Sequence, residues 1–188
     1  MLSGNLPLVY QLKITLKDIQ PSIWRRVHVS NICTLADLHK VIQAAMGWKD
    51  EHLHKFVIKG RQFSVPSKQV ATRILNESKY KLSSLFNQEG ERFNYHYNFG
   101  YGWEHEVILE KILPMDSQSE LPKCIEGRRT CPPEHIGGVE GYFLFLDAMA
   151  DSSHPEHEGV RDWYVNDDFD PEHLNSAKIN KLLQQAHD

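Results

Sequence analysis

Residues 92–113 constrain this chain more than any other stretch. Phe93, Tyr95, Tyr97 and Phe99 alternate with Arg92, Asn94, His96 and Asn98. A period of two puts aromatic side chains on one face of a strand and polar ones on the other. Gly100-Tyr101-Gly102 breaks the run, and Trp103, His105, Val107 and Leu109 then resume the alternation towards Leu113. Glycines on both sides of Tyr101 suit a tight turn, so the segment predicts an antiparallel hairpin with one apolar face. A sheet built on such a hairpin needs a second layer over that face.

The rest of the chain supplies both layers. Leu8, Tyr10, Leu12, Ile14 and Leu16 form a half-buried strand, Asp18 to Pro21 a turn, and Ile23 to Val29 a returning strand. Thr34 with Asp37 reads as a helix cap, and Leu35, Leu38, Val41, Ile42, Ala45 and Met46 share one helical face before Gly47 ends it. Trp48 is placed to cover the end of that helix. His52 to Lys59 predicts a third strand with His52, His54, Phe56 and Ile58 on one face. Residues 66–91 are polar and less regular, with short elements around Ile74 and residues 82–86. A loop over 115–122 leads into a turn-rich segment, and a helix is expected over residues 142–149. Pro155 suits the first position of another helix running towards Trp163, and Asp170-Pro171 opens a last element striped by Ile179, Leu182 and Leu183. Strands fill the first two-thirds, and helices fill 34–47 and the last third. The expected fold is α+β: a mostly antiparallel sheet packed by helices, in a single domain spanning 1–188.

At 188 residues, 40% hydrophobic and 24% charged, the chain has the make-up of a globular domain. Its formal charge is −4, and its arginines cluster only in the pairs Arg25–Arg26 and Arg128–Arg129, which disfavours nucleic acid as a partner. Three cysteines, Cys33, Cys124 and Cys131, are too few for a disulfide framework and suit a reducing compartment. No apolar run approaches the roughly 18 residues of a membrane span, and no basic start precedes an apolar one. A cytoplasmic, membrane-free protein is expected.

Chemistry-bearing side chains concentrate between Cys124 and Trp163, where a Cys pair, Pro132-Pro133-Glu134-His135, Gly137-Gly138 and His154-Pro155-Glu156-His157 follow one another. Cys131, Glu134, His135, His154 and His157 are candidate ligands for a divalent transition metal, if folding gathers them. His-x-x-His is not the i, i+4 spacing of zinc-hydrolase helices, and His154 at a helix start suits a cap equally well. Six residues between Cys124 and Cys131 exceed the gap of compact zinc knuckles, which favours buried thiols. His52, His54 and His105 share apolar strand faces, where imidazoles serve either as ligands and proton carriers or as hydrogen-bonded core residues. The aromatic row could stack bases, although such rows more commonly form the packed face of a sheet. A Gly-x-Ser-x-Gly elbow and a phosphate-binding Walker loop are both missing, and Gly137-Gly138 suits a positive φ or a close backbone approach. Arg92, Asn94, His96, Asn98, Tyr101, Trp103 and Glu134 make up a candidate binding surface.

Three motifs together, YHYNFGYGWEHEVILE, CPPEHIGG and GYFLFLDAMADSSHPEHE, resemble the plasmid pRiA4b open-reading-frame-three-like family. The likeness covers most of the chain, including YQLKITLKDIQPSIWRRVHV near its start. It implies an association with plasmids and mobile elements, in a family with no established biochemical role. Where the family typically has Tyr-Asp-Phe-Gly-Asp before the Trp, this chain has Asn98 and Tyr101; where the family tends to Glu-Asp after Pro-Pro, it has Glu134-His135. If those carboxylates bind a cation in the family, this member has lost part of the site. The resolvase-type label sometimes attached to the family finds no matching arginine cluster, nucleophile or DNA-reading helix here. Three functions follow in order: a non-catalytic binding or accessory module for an unknown protein or small ligand; a metal-dependent, hydrolase-like enzyme using a His/Glu/Cys cluster; and a nucleic-acid-interacting protein.

Overall fold

A computed structural model describes residues 7–66, 74–116, 120–163 and 169–187. One eight-stranded sheet organises them, with strands β1 (Leu8–Leu16), β2 (Ile23–Ser30), β3 (His54–Ile58), β4 (Arg61–Ser64), β5 (Ile74–Asn76), β6 (Arg92–Tyr97), β7 (Trp103–Pro114) and β8 (Lys123–Arg128). The order across the sheet is β5-β4-β3-β6-β7-β1-β2-β8, and only the β4–β5 pair is parallel. Five helices accompany it: α1 (Leu35–Met46), α2 (Leu82–Leu85), α3 (Gly138–Ala150), α4 (His157–Trp163) and α5 (Ser176–His187). The fold is α+β with a mostly antiparallel sheet, as the alternation and the order of elements predict.

The period-two pattern becomes a two-faced sheet. Tyr10, Leu12, Ile14 and Leu16 of β1, Ile23, Val27 and Val29 of β2, Phe56 and Ile58 of β3, and Val107 and Leu109 of β7 are all buried. α1 packs against β2 and against α5, and α5 also packs on β8. Thr34 and Asp37 cap α1 reciprocally: the Asp37 N–H donates to Thr34 Oγ1 at 3.2 Å and the Thr34 N–H to Asp37 Oδ2 at 2.8 Å. Such a cap contributes about 1 kcal/mol. Gly47, at φ 78°, closes the helix in the left-handed conformation. The opposite face of the sheet carries charge. Lys17 pairs with Glu104 at 3.0 Å, Arg26 Nη2 with Glu110 at 2.9 Å, and Arg92 with Glu106 at 3.4 Å.

Several boundaries differ from expectation. β6 stops at Tyr97; Asn98 takes φ 55° and turns inward, so Asn98 is buried and Phe99 is exposed, the reverse of simple alternation. β3 begins at His54, leaving His52 in the preceding loop. Residues 123–128, read as part of a turn-rich stretch, form edge strand β8. The residue missing from their alternation is Gly127, where a Cβ would lie 2.8 Å from the Trp24 carbonyl oxygen. α3 starts at Gly138 rather than Tyr142, because two glycines at φ 93° and 73° let the chain turn against the β6–β7 hairpin. A Cβ on Gly138 would come within 2.6 Å of the Tyr101 carbonyl oxygen. α4 begins at His157 and α5 at Ser176, each later than its proline suggests. At the β8 edge, the Asn180 side chain of α5 accepts from the Cys124 N–H at 2.8 Å and donates to the Cys124 carbonyl at 3.0 Å.

Candidate functional site

Two polar regions are buried beneath α1. The first lies where α1 crosses β3 and β6. His39 and Gln43, one helical turn apart, both face inward and are 4% exposed. The Tyr95 hydroxyl accepts from Gln43 Nε2 at 2.9 Å and lies 2.8 Å from His39 Nδ1. With its one proton given to Nδ1, the other imidazole nitrogen carries hydrogen and donates to Asp50 at 2.8 Å. Asp50 is fixed in turn, its N–H donating to Gln43 Oε1 at 3.0 Å. His54 lies beneath, stacked on His39 with ring centroids 3.4 Å apart and planes 5° from parallel, and it donates through Nε2 to buried Glu77 at 2.8 Å. Burial, aided by His54, pushes His39 down to about 4, so it is neutral near pH 7. Burial likewise holds the Tyr95 hydroxyl well above its ordinary value.

Among the described residues, His39, Asp50 and His54 are the three whose ligand atoms lie within 4.8 Å of one another. A metal ion bound by imidazole sits in the ring plane, along the nitrogen lone pair. Two stacked, parallel planes share no such point, and the nitrogens facing Asp50 and Glu77 are committed as donors. The trio is therefore arranged as two hydrogen-bonded chains in contact, and one ring would have to rotate before both could hold one ion. His105 is a neighbour of different character. It is fully buried against Trp48 and Tyr95, neither ring nitrogen makes a well-formed hydrogen bond among the described residues, and burial pushes it down to about 3 against a smaller upward pull from the Tyr95 and Trp103 backbone.

The second region surrounds the C-terminal end of α1. Pro132 and Glu134 dock there: Trp48 Nε1 donates to the Pro132 carbonyl at 2.9 Å and Trp103 Nε1 to the Glu134 carbonyl at 3.3 Å. The Glu134 carboxylate accepts from the Tyr97 hydroxyl and from the Lys49 N–H at 2.8 Å. Burial first, then this carboxylate, pushes Tyr97 far up, so it keeps the proton it shares. Beside this docking point opens a cleft of about 670 Å³, lined by Arg25, residues 45–48, residues 130–134 and parts of 169–182. Arg25 forms its floor at 2% exposure. Its Nε donates to the Ala45 carbonyl at 3.1 Å, its Nη1 to Trp24 and Arg128 carbonyls at 2.8 and 3.0 Å, and its Nη2 to Cys131 Sγ at 3.0 Å.

The residues singled out in the sequence are distributed over several places. Cys131 sits on Arg25 and 3.2 Å from Met46 Sδ, with its thiol pushed up by burial. Glu134 lies at the Tyr97 site, while His135 is on the surface, 2.7 Å from Glu51 and 3.4 Å from His52. His157 Nδ1 donates to the Ala148 carbonyl at 2.7 Å, near the end of α3, and His154 Nδ1 accepts from the Glu156 N–H at 3.1 Å. Cys131, Glu134, His135, His154 and His157 supply none of the three-residue groupings found among the described residues. Arg92, Asn94 and His96 lie on the charged face, with His96 3.4 Å from Glu104, whereas Trp103 and Asn98 are buried and Tyr101 is exposed. His39, Gln43, Asp50, Glu77 and Arg25 were not legible as site residues, although Arg25 occupies an inward position of an alternating strand.

These features can be set beside known proteins. The model of the family described as plasmid pRiA4b ORF-3-like protein matches residues 8–178. The chain belongs to that family. As a pRiA4b ORF-3-like protein it is 36% identical, over 176 residues, to the uncharacterized protein y4hQ of Sinorhizobium fredii (strain NBRC 101917 / NGR234), a match covering 93% of this chain and 90% of that one. The crystal structure of the protein of unknown function MM3350 from Methanosarcina mazei Go1 superimposes with a TM-score of 0.83 at 39% identity, covering 92% of this chain and 97% of that chain. Among the described residues of this pRiA4b ORF-3-like chain, no helix is long and apolar enough to cross a membrane.

Proposed function

We propose that this pRiA4b ORF-3-like chain is a non-catalytic binding or accessory module, and that its ligand site is the cleft at the end of α1. The supporting observation is the cavity itself. At about 670 Å³ it falls within the range of small-molecule sites, and it mixes apolar walls from Met46, Trp48 and Ile179 with a few polar groups. The groups that a hydrolase would use are engaged elsewhere. Glu134 is held by Tyr97 and Lys49, His157 by the α3 carbonyl, and the Cys131 thiol is held protonated by burial. The family's plasmid setting suits an accessory role.

His173 and Lys178 are exposed residues at the cleft, so they can be enlarged without disturbing the core. Ligand-observed NMR against mixtures of small polar metabolites should find binders that the double variant His173→Trp/Lys178→Trp no longer holds. Binders indifferent to both substitutions would place the site elsewhere. One observation favours the metal-dependent reading, namely the closeness of the His39, Asp50 and His54 ligand atoms. Elemental analysis of untagged protein bears on it: one equivalent of a transition metal retained through dialysis and lost in His39→Gln would replace the binding-module reading.

A further inference from the structure

Arg25 is an unusual residue to find on the covered face of a sheet. It is in phase with Ile23, Val27 and Val29, and is as buried as they are. A buried charge is costly unless an opposite charge or a full set of hydrogen bonds compensates for it. The other arginines next to it in sequence or in burial have such partners. Arg26 pairs with Glu110 and Glu126, and buried Arg129 pairs with Glu172 at 2.7 Å. Arg25 has no carboxylate within ion-pairing distance among the described residues; its acceptors are three carbonyls and a thiol. These take the Nε hydrogen, both Nη1 hydrogens and one on Nη2, leaving one Nη2 hydrogen of the guanidinium's five without an acceptor among the described residues.

The surroundings keep this group in place and leave space before it. A Cβ on Gly127 would lie 3.0 Å from Arg25 Cδ, so glycine there is what lets the side chain lie flat across β8. Arg25 and Cys131 both line the 670 Å³ cleft. From the other wall comes the start of α5, a twelve-residue helix, with Asn175 and Lys178 lining the same space. Asn175 Oδ1 caps the Lys178 N–H at 2.9 Å, and the positive end of the helix dipole lies at this end of the helix. Two carboxylates also line the cleft, and both are held by other donors: Glu134 by Tyr97 and Lys49, Asp170 by the Glu172 N–H at 2.8 Å.

We infer that the cleft takes an anionic ligand, a small molecule bearing a carboxylate or phosphate group, whose oxygen accepts the remaining Nη2 hydrogen of Arg25 and whose charge is balanced by Arg25 and Lys178. The inference rests on the cleft being the ligand site.

Calorimetric titration with inorganic phosphate and with succinate tests it, at low chloride, beside uncharged glycerol and cationic putrescine. Saturable binding of at least one anion is expected, at least tenfold weaker in Lys178→Glu and in Arg25→Lys; the better of the two anions identifies the source chemistry. Arg25→Lys keeps a cation but loses the fork, and if it fails to fold, Lys178→Glu carries the comparison alone. Anion binding unchanged by Lys178→Glu would mark an adventitious ion only, and overturn the inference. Binding of glycerol or putrescine, blocked by His173→Trp, with neither anion bound, would overturn the anion class and leave the cleft as a site. If no probe bound in these titrations, and no metabolite binder in the NMR screen responded to the rim substitutions, both readings would fall.

Discussion

Near the middle of α1, His39 and Gln43 join Tyr95 and Asp50 in a closed ring of hydrogen bonds, whereas at its end Ala45 offers a carbonyl to a guanidinium that, among the described residues, still has an N–H to give. Both regions are buried and polar, and both are reached from the same helix. In the first, aromatic and imidazole rings fill the space, and Tyr95 and Gln43 close the hydrogen bonding on itself. In the second, the acceptors run out before the donors do, and open volume lies alongside. Polar groups that satisfy one another belong to the architecture; those left short beside a cavity are where a second molecule would complete the set.

The largest effect is expected in the network. His54→Ala leaves Glu77 buried without its donor, and urea denaturation should show a loss of about 3–5 kcal/mol. A loss below 1 kcal/mol would mean that Glu77 is not held by this contact. Acid acts on the same region. His39 at about 4 and His105 at about 3 bind protons in the unfolded chain, near pH 6.5, before they do in the fold. Their contribution is intact above about pH 6.5 and is lost as pH falls towards 4 and then 3, with a slope approaching roughly 1.4 kcal/mol per pH unit for each. Unfolding free energies between pH 7 and 5 should fall accordingly, and less so in His39→Gln; an equal slope in both proteins would remove His39 from the account.

Smaller effects sharpen the contrast. His105→Phe replaces a ring whose nitrogens make no well-formed hydrogen bond among the described residues by an apolar one, so stability should change by less than about 1 kcal/mol or rise. A large loss would reveal a hydrogen bond to the strand backbone of Tyr95 or Trp103. Lys178→Glu, on the surface of the cleft, should leave stability within about 0.5 kcal/mol. If it instead matched His54→Ala in cost, the cleft would be as architectural as the network.

Most of the fold was legible because its strongest signals are local. The alternation in β1, β2, β6 and β7 and the Thr34/Asp37 box each need only a few consecutive residues. β8 escaped because Gly127 interrupts its pattern, and Phe99 was misplaced because Asn98, at positive φ, turns inward itself and sends Phe99 outward. The candidate site was less legible for a different reason. Its groups come from β2, α1, β3, the loop at Asp50 and the turn at Glu77, and nothing in a linear pattern says which of these meet. Two signals were nonetheless present: His39 and Gln43 at i, i+4 on a face otherwise apolar, and Arg25 in the inward phase of a strand. The dense Cys124–Trp163 stretch drew attention by composition, and its histidines serve largely to close helix ends and surface ion pairs.

The side chain of Asn180 on the outer edge of β8 has a further consequence. A primary amide presents the same donor and acceptor as a peptide unit, so to Cys124 it stands in for the next strand. An open ladder at that position would be a template on which another copy could lay its own backbone. By ending the sheet with a single side chain borrowed from a helix, the molecule removes a route to chain-upon-chain stacking at this point.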